Sequence, residues 1–469
     1  MSIAIVWFRR DLRLQDHPAL VAAATRHERV LPVYIHAPDE EGDWAPGAAS
    51  RWWLHHALDA LQRDLHRHHG ELHLRIGPSL QTLQALIEAT GAEAVYWNRL
   101  YEPALVARDT QIKQTLREQG VHVASFDAAL WRNPWQVLTK QDEPYRVFTP
   151  FWRNLRAQLG DEPPLDTPSP LRLEKAKDGA TLDALDLLPR RDWADGFSEH
   201  WTPGEAGAME MLERLADDAL RGYGELRDRP ALVGTSRLSP HLHFGEITPR
   251  MARAKLRAAV DASGEEKGLE PYLRELGWRD FAHHVMYHFP HSVDRNLDER
   301  FDRYPWRDDD AALERWQQGR TGVPLVDAGM RELWATGWMH NRVRMIVASW
   351  LTKNMGQHWL HGARWFWDTL VDADLANNSL GWQWVAGSGV DAAPYFRIFN
   401  PVTQAQRFDP EGEYIRRWVP ELRDAPKKLL HEPWAQDGFA ASRGYPLPML
   451  DIKDSRQRAL DGYEAVRNG

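Results

Sequence analysis

Cysteine is absent from all 469 residues. That excludes disulfides, thiolate metal sites and thiol redox chemistry, so any electron carrier must be a bound cofactor or an aromatic side chain. Long apolar runs are absent as well. No window approaches the eighteen uninterrupted apolar residues of a membrane span, and the start "MSIAIVWFRRDLRLQD" turns charged after a short apolar run, which fits neither a signal peptide nor an anchor. A soluble, cytoplasmic protein is expected. Excess positive charge is missing too: the net charge of -9 argues mildly against a large non-specific nucleic-acid surface, although a local basic stripe would be hidden in the total. No G-x-G-x-x-G follows the first strand-like run, where the chain reads "RRDLRLQDHPAL", so a dinucleotide bound in the Rossmann manner is not expected there. No H-x-x-x-H is paired with a carboxylate; His55–His56 and His283–His284 read as helix-surface residues, and no metal is expected.

What is present is tryptophan. The chain has 23, with 14 Phe and 12 Tyr beside them. Each ring taken singly is most simply core packing, because it buries so much area; the set as a whole asks for more. Apolar content of 43% and charged content of 27% are those of an ordinary globular protein, and the length implies two or three domains.

Residues 1–130 alternate two periods. Strand-like runs "IAIVWF", "VLPVYIHA", "ELHLRIG", "EAVYWN" and "VHVASFDAALW" are separated by helical spacings such as "SLQTLQALIEATG". This predicts an α/β domain with a doubly wound parallel sheet. From 131 to 204 the periodicity weakens and "GDEPPLDTPSPLRLEKAKDG" reads as a long interdomain connection. Residues 205–469 are almost wholly 3.6-periodic to about residue 400, which predicts an all-α C-terminal domain.

Four stretches gather residues suited to chemistry. In "GTSRLSPHLHFGEITPR", Ser before Pro is a helix start, and the same hydroxyls and free amides suit a phosphate; Tyr223 and Arg227 lie a loop upstream. In "YLRELGWRDFAHHVMYH", Glu275, Trp278 and Arg279 share one helix face, either as an ion pair beside a packed ring or as part of a site. In "GWMHNRVRMIVASW", Asn341, Arg342, Arg344 and Met345 suit a nucleobase or a protein interface. In "DADLANNSLGWQW", Asp372 and Asp374 are either solvated loop acids or partners of Arg344 and a sugar. Asn378 caps a helix or faces a polar ring. Trp382 and Trp384 are two apart, so on a helix their rings diverge by about 200°, one toward a pocket and one toward the core.

Four motifs, "WFRRDLRLQDHPAL", "GTSRLSP", "RELGWRDF" with "GWMHNRVRM", and "DADLANNSLGWQWVAGSGVDAAPYFRIFNP", resemble those of the DNA photolyase and cryptochrome family over essentially the whole chain. The resemblance implies an N-terminal α/β domain that holds an antenna chromophore in some members, and a helical domain enclosing FAD. It places Tyr223, Thr235, Ser236, Arg237, Leu238, Ser239, Arg279, Arg344, Asp372, Asp374 and Asn378 on the FAD, with Arg344 paired to Asp372. Trp382, Trp359 and Trp306 match the family's electron-transfer chain. Arg227, Glu275, Trp278, Asn341, Arg342, Met345, Trp384 and Gln404 match positions that meet a lesion in ultraviolet-damaged DNA or its flanking phosphates. Members that repair the six-four photoproduct carry two His where this chain has Asn341 and Met345, so the resemblance is closest to class I cyclobutane pyrimidine dimer photolyases. A cryptochrome-like photoreceptor is the alternative. Folate-using members carry an Asn-Glu pair at Ala104 and Leu105, which leaves deazaflavin, flavin or no antenna. A monomer with no membrane contact is expected.

Overall fold

The computed structural model describes residues 2–190, 192–264, 266–392 and 396–468; Ala393, Pro394 and Tyr395 of the fourth motif lie outside them. The five strand-like runs form β1 (Ile3–Phe8), β2 (Arg29–His36), β3 (His73–Ile76), β4 (Ala94–Asn98) and β5 (His122–Phe126). They make one parallel sheet in the order β3-β2-β1-β4-β5. β1 and β4 are nearly continuous apolar or aromatic runs because helices cover both faces. Chain order reverses beside β1, and such a reversal opens a crevice at the carboxyl ends of the strands.

Between residues 131 and 204 the chain forms a helix, Phe148–Gln158, whose buried Phe148, Phe151, Trp152 and Leu155 pack with the helix Leu269–His288. Farther on, Leu185, Leu187, Phe197 and Trp201 join the apolar layer of the α/β domain. Beyond residue 205 the described residues form helices, with π-helical segments at Leu215–Ala219 and Trp350–Met355. Much of the tryptophan is core: Trp7, Trp53, Trp97, Trp316, Trp350 and Trp359 are all fully buried. No helix among the described residues is long and apolar enough to cross a membrane.

The turn after β1, notable in sequence only for lacking glycines, is where the two halves lock. Leu12 N–H donates to the Phe244 carbonyl at 3.1 Å and Arg13 Nη1 to the Gly245 carbonyl at 2.6 Å. Gly245 has φ +63, and a Cβ there would lie 2.2 Å from the Arg10 carbonyl oxygen, so only glycine permits this approach. Asp16 accepts from Thr248 Oγ1 at 2.6 Å and pairs with Arg250, while Trp53 Nε1 donates to Glu246 at 2.9 Å. These contacts fix the short helix Ser239–His243, which borders the site.

Asp280 ties the connection to the helical domain. Its Oδ2 accepts from the backbone N–H of Trp131 at 2.9 Å and of Arg132 at 3.4 Å, while Oδ1 is buried without a partner. Burial raises this carboxyl to about 7, against the opposing pull of Arg279. Because the folded-state value lies above the unfolded one, its contribution to stability is full below about pH 4, declines as pH rises, and is gone above about pH 7. Asp280→Asn removes this dependence. Between pH 5 and pH 8 the variant is expected to gain roughly 2–3 kcal/mol relative to the parent, read from chemical denaturation at the two pH values; an unchanged difference contradicts it.

Candidate functional site

The stretches singled out in the sequence converge on one cavity of about 540 Å³ in the helical domain. Its walls come mainly from the segment leading into Ser239–His243 and the helices Leu269–His288, Asn341–Ser349 and Leu375–Ala386, with Tyr223, Phe366 and the segment 370–374 completing them. All the residues expected at the site line this cavity except Leu238, Gln404, Trp306 and Trp359. Leu238 is fully buried behind it in the apolar layer, and Gln404 sits on the helix Pro401–Phe408.

One side of the cavity is polar. Arg344 donates Nη2 to both oxygens of Asp372, at 3.0 and 2.8 Å, and Nε to the Met339 carbonyl at 2.7 Å. Asp374 is the N-cap of Leu375–Ala386, where Oδ1 accepts from Asn377 N–H at 2.9 Å. Its Oδ2 faces His243 Nδ1 and His283 Nε2, each at 3.5 Å. Burial pushes this carboxyl up, but His283, His243 and Arg279 outweigh it and hold it well below the usual range. Asn378 donates one Nδ2 hydrogen to the Ala363 carbonyl at 2.9 Å, which leaves its Oδ1 acceptor and a second N–H for a ligand. Arg237 lies over Trp338 at 4.8 Å, and no carboxylate is within ion-pair distance of it among the described residues. Thr235 and Ser239 add hydroxyls beside that unpaired cation.

The other side is aromatic and basic. Trp278 stacks on Phe148, with centroids 3.7 Å apart and 9° between planes. Trp384 donates Nε1 to the Asp391 carbonyl at 3.1 Å. Trp382 and Trp384 both reach the cavity, rather than dividing between pocket and core. Glu275 does not pair with Arg279 along its own helix; it pairs with Arg227, and Arg279 donates to the Leu242 carbonyl at 3.2 Å. Arg342 donates to Asp228 at 2.7 Å.

Trp382 leads away from the cavity. It packs on Gly362, where a Cβ would lie 2.0 Å from the indole Cη2, one turn along the same helix from the fully buried Trp359. His358 lies between Trp359 and Trp306, with ring centroids at 5.6 and 4.9 Å, and Trp306 is half-buried.

Sequence reasoning missed His243 and His283 as the partners of Asp374. His283 and His284 are not on a helix surface but 4% and 0% exposed, and His55 and His56 are half-buried. The signal was available: Leu269–His288 has no single apolar stripe, as befits a helix buried on several sides. Leu105 is buried and Ala104 exposed; neither offers a side-chain hydrogen bond to an antenna.

The donor set fits a flavin dinucleotide. An unpaired guanidinium with hydroxyls suits a diphosphate, a carboxylate held ionised suits hydroxyl and imide donors, and an amide with its oxygen and one N–H free suits the polar edge of a heterocycle. Fold and site define a flavin-binding protein with an α/β domain and a helical cofactor domain. Comparison with known proteins agrees: residues 272–465 match the model of the FAD binding domain of DNA photolyase, and residues 4–170 match that of DNA photolyase. A deoxyribodipyrimidine photo-lyase of Agrobacterium fabrum is 46% identical over 99% of this chain and 98% of that protein. The crystal structure of a class III photolyase from Agrobacterium tumefaciens superposes with TM-score 0.95 at 45% identity, covering 100% of this chain and 98% of that one. An archaeal photolyase from Sulfolobus tokodaii, solved with two FAD molecules, gives TM-score 0.85 at 30% identity over 99% of this chain and all of that one. The chain belongs to the DNA photolyase and cryptochrome family and binds FAD. The class I placement expected from the motifs is not established, since the likeness at 45% identity is to a class III structure.

Proposed function

We propose that this protein, acting as a cytoplasmic monomer, uses light to split cyclobutane pyrimidine dimers in DNA. The observation that carries the reading is that one cavity holds both the flavin-suited groups and the lesion-suited ones, Glu275, Trp278, Asn341, Met345 and Trp384. Reduced FAD bound there supplies a light-excited electron donor. The chain's own residues do the rest. A lesion flipped from the duplex costs a few kcal/mol, least where stacking is already poor. Trp278, held flat by Phe148, and Trp384, held by Asp391, return about 1–3 kcal/mol per stacked base. Asn341 and Met345 seat the two pyrimidines, Glu275 hydrogen-bonds a thymine carbonyl or imide, and Arg227 and Arg342 take the flanking phosphates, which makes binding salt-dependent. With Asn341 and Met345 there, no His pair moves a proton, and splitting a cyclobutane ring requires none.

Trp382, Trp359 and Trp306 serve as the electron route to the surface. The crevice at the strand ends is the place for a second chromophore, and with Ala104 and Leu105 in place of an acid-amide pair a folate is disfavoured there; the Sulfolobus tokodaii relative carries a second FAD.

The test uses reduced protein, blue light and oligonucleotides carrying one lesion type at a time. Cyclobutane dimers are expected to disappear while six-four products persist. Repair of neither, with flavin bound and reduced, would move the assignment to a photoreceptor, consistent with the 37% identity to Arabidopsis thaliana cryptochrome-1 over 97% of this chain and 69% of that one.

A further inference from the structure

Both guanidiniums assigned to DNA phosphates are already held by carboxylates of the protein. Arg227 pairs with Glu275, which has a task of its own at the lesion. Arg342 pairs with Asp228, which has none: Nη2 lies 2.7 Å from Oδ1, and the two side chains are 19% and 34% exposed. Asp228 follows Arg227 directly, just past the short helix Tyr223–Leu226, and so sits at the rim of the cavity. The guanidinium it holds is fixed on its other side. Arg342 lies over Phe408 at 4.5 Å, and its Nη1 is 3.8 Å from Met345 Sδ. A stacked guanidinium with one edge on a half-exposed carboxylate is a pre-oriented oxyanion site whose occupant belongs to the chain itself.

Resting on the reading of Arg342 as a phosphate ligand, we infer that Asp228 is an intramolecular stand-in for a DNA phosphate: Arg342 exchanges the carboxylate for a phosphodiester when DNA binds and returns to it when repaired DNA leaves. The exchange has a defined electrostatic signature. A phosphate neutralised by Arg342 releases a counterion from the DNA, while the intramolecular ion pair given up in exchange is itself weakened by salt, so in the parent the cost of breaking it offsets part of the salt dependence of this contact. With Asp228 neutral, the release is no longer offset.

The experiment measures binding of a short duplex, with and without one cyclobutane dimer, by fluorescence anisotropy across a series of salt concentrations. The proteins are the parent, Asp228→Asn, Arg342→Gln, the double variant, and Glu225→Gln as a control that removes an exposed acid from the same rim. Asp228→Asn is expected to bind the dimer-containing duplex roughly fivefold more tightly at low salt, the scale of a half-exposed ion pair, with a steeper log-log salt slope because no salt-weakened pair has to be broken. In the Arg342→Gln background the same substitution is expected to give neither change, because there is no guanidinium to release. An equal gain with and without Arg342, or an equal gain from Glu225→Gln, would show simple relief of charge repulsion and overturn the inference, as would no gain at all. Flavin absorbance and thermal midpoint of Asp228→Asn matching the parent establish that the fold and cofactor site are intact; if they do not match, Asp228→Ser is measured in its place against the same expectations. A parent that does not prefer the dimer-containing duplex would instead sink the proposed function, whatever Asp228 does.

Discussion

Trp382→Phe is expected to leave the purified protein oxidised under blue light in the presence of an external reductant, at the level of a dark control, while protein reduced chemically repairs dimers at the parent's rate. The chain has no cysteine, so a stepwise electron route into the buried cavity must run over aromatic rings, and among these indole gives up an electron far more readily than benzene. Trp382 lines the cavity and is 3% exposed. Its seat on Gly362 puts it one helical turn from Trp359, and His358 fills the space from there to Trp306. Phe at 382 keeps an aromatic ring against Phe366 and Trp316, which now meet the indole at 5.0 and 6.2 Å, so packing is conserved and the change is one of redox chemistry. The split between lost photoreduction and retained repair is what a merely structural role cannot produce. Photoreduction of the variant at the parent's rate would remove Trp382 from the route.

The parts of this molecule that local spacing determines were legible. Five strand-like runs became five strands because parallel strands covered on both faces need little but β-branched and aromatic residues. The Arg344–Asp372 pair followed from the family motif. Partners distant in sequence were not legible. Nothing in "YLRELGWRDF" says that Glu275 ignores Arg279, one turn away, for Arg227, because i,i+4 pairing is worth only a few tenths of a kcal/mol and tertiary geometry overrides it. The histidines were misplaced for a related reason: polar side chains were assigned to solvent, although a helix packed on several sides carries them inward whenever a partner such as Asp374 meets them. The turn "RRDLRLQD" was read by what it lacks. Its use, gripping Phe244 and Gly245 across the domain boundary, depends on a glycine more than two hundred residues away.

The second large effect belongs to Asp374. Its carboxylate does three things at once: it caps the helix that carries Asn378, Trp382 and Trp384, it faces His243 and His283, and it borders the cofactor cavity. Asp374→Ala leaves an uncapped Asn377 N–H and two buried imidazoles facing a methyl group, and removing one partner from a buried charged set costs about 3–5 kcal/mol. The variant is expected to purify with little or no FAD and to unfold at markedly lower denaturant. Asp374→Asn separates the contributions, since an Asn side chain still caps a helix well but carries no charge; it should recover the cap's share, about 1 kcal/mol, and still bind FAD poorly. The acid limb gives the sign. A carboxyl held well below its ordinary value in the folded protein contributes stability that is complete above about pH 4 and is lost as pH falls through the folded-state value. The stability gap between the parent and Asp374→Asn should therefore be constant from neutral pH down to about pH 4 and narrow below it. Denaturation at pH 7, 4 and 3, with the flavin-to-protein absorbance ratio of each preparation, measures both. If Asp374→Asn matches the parent in FAD content and in stability at every pH, the carboxylate is a cap and nothing more.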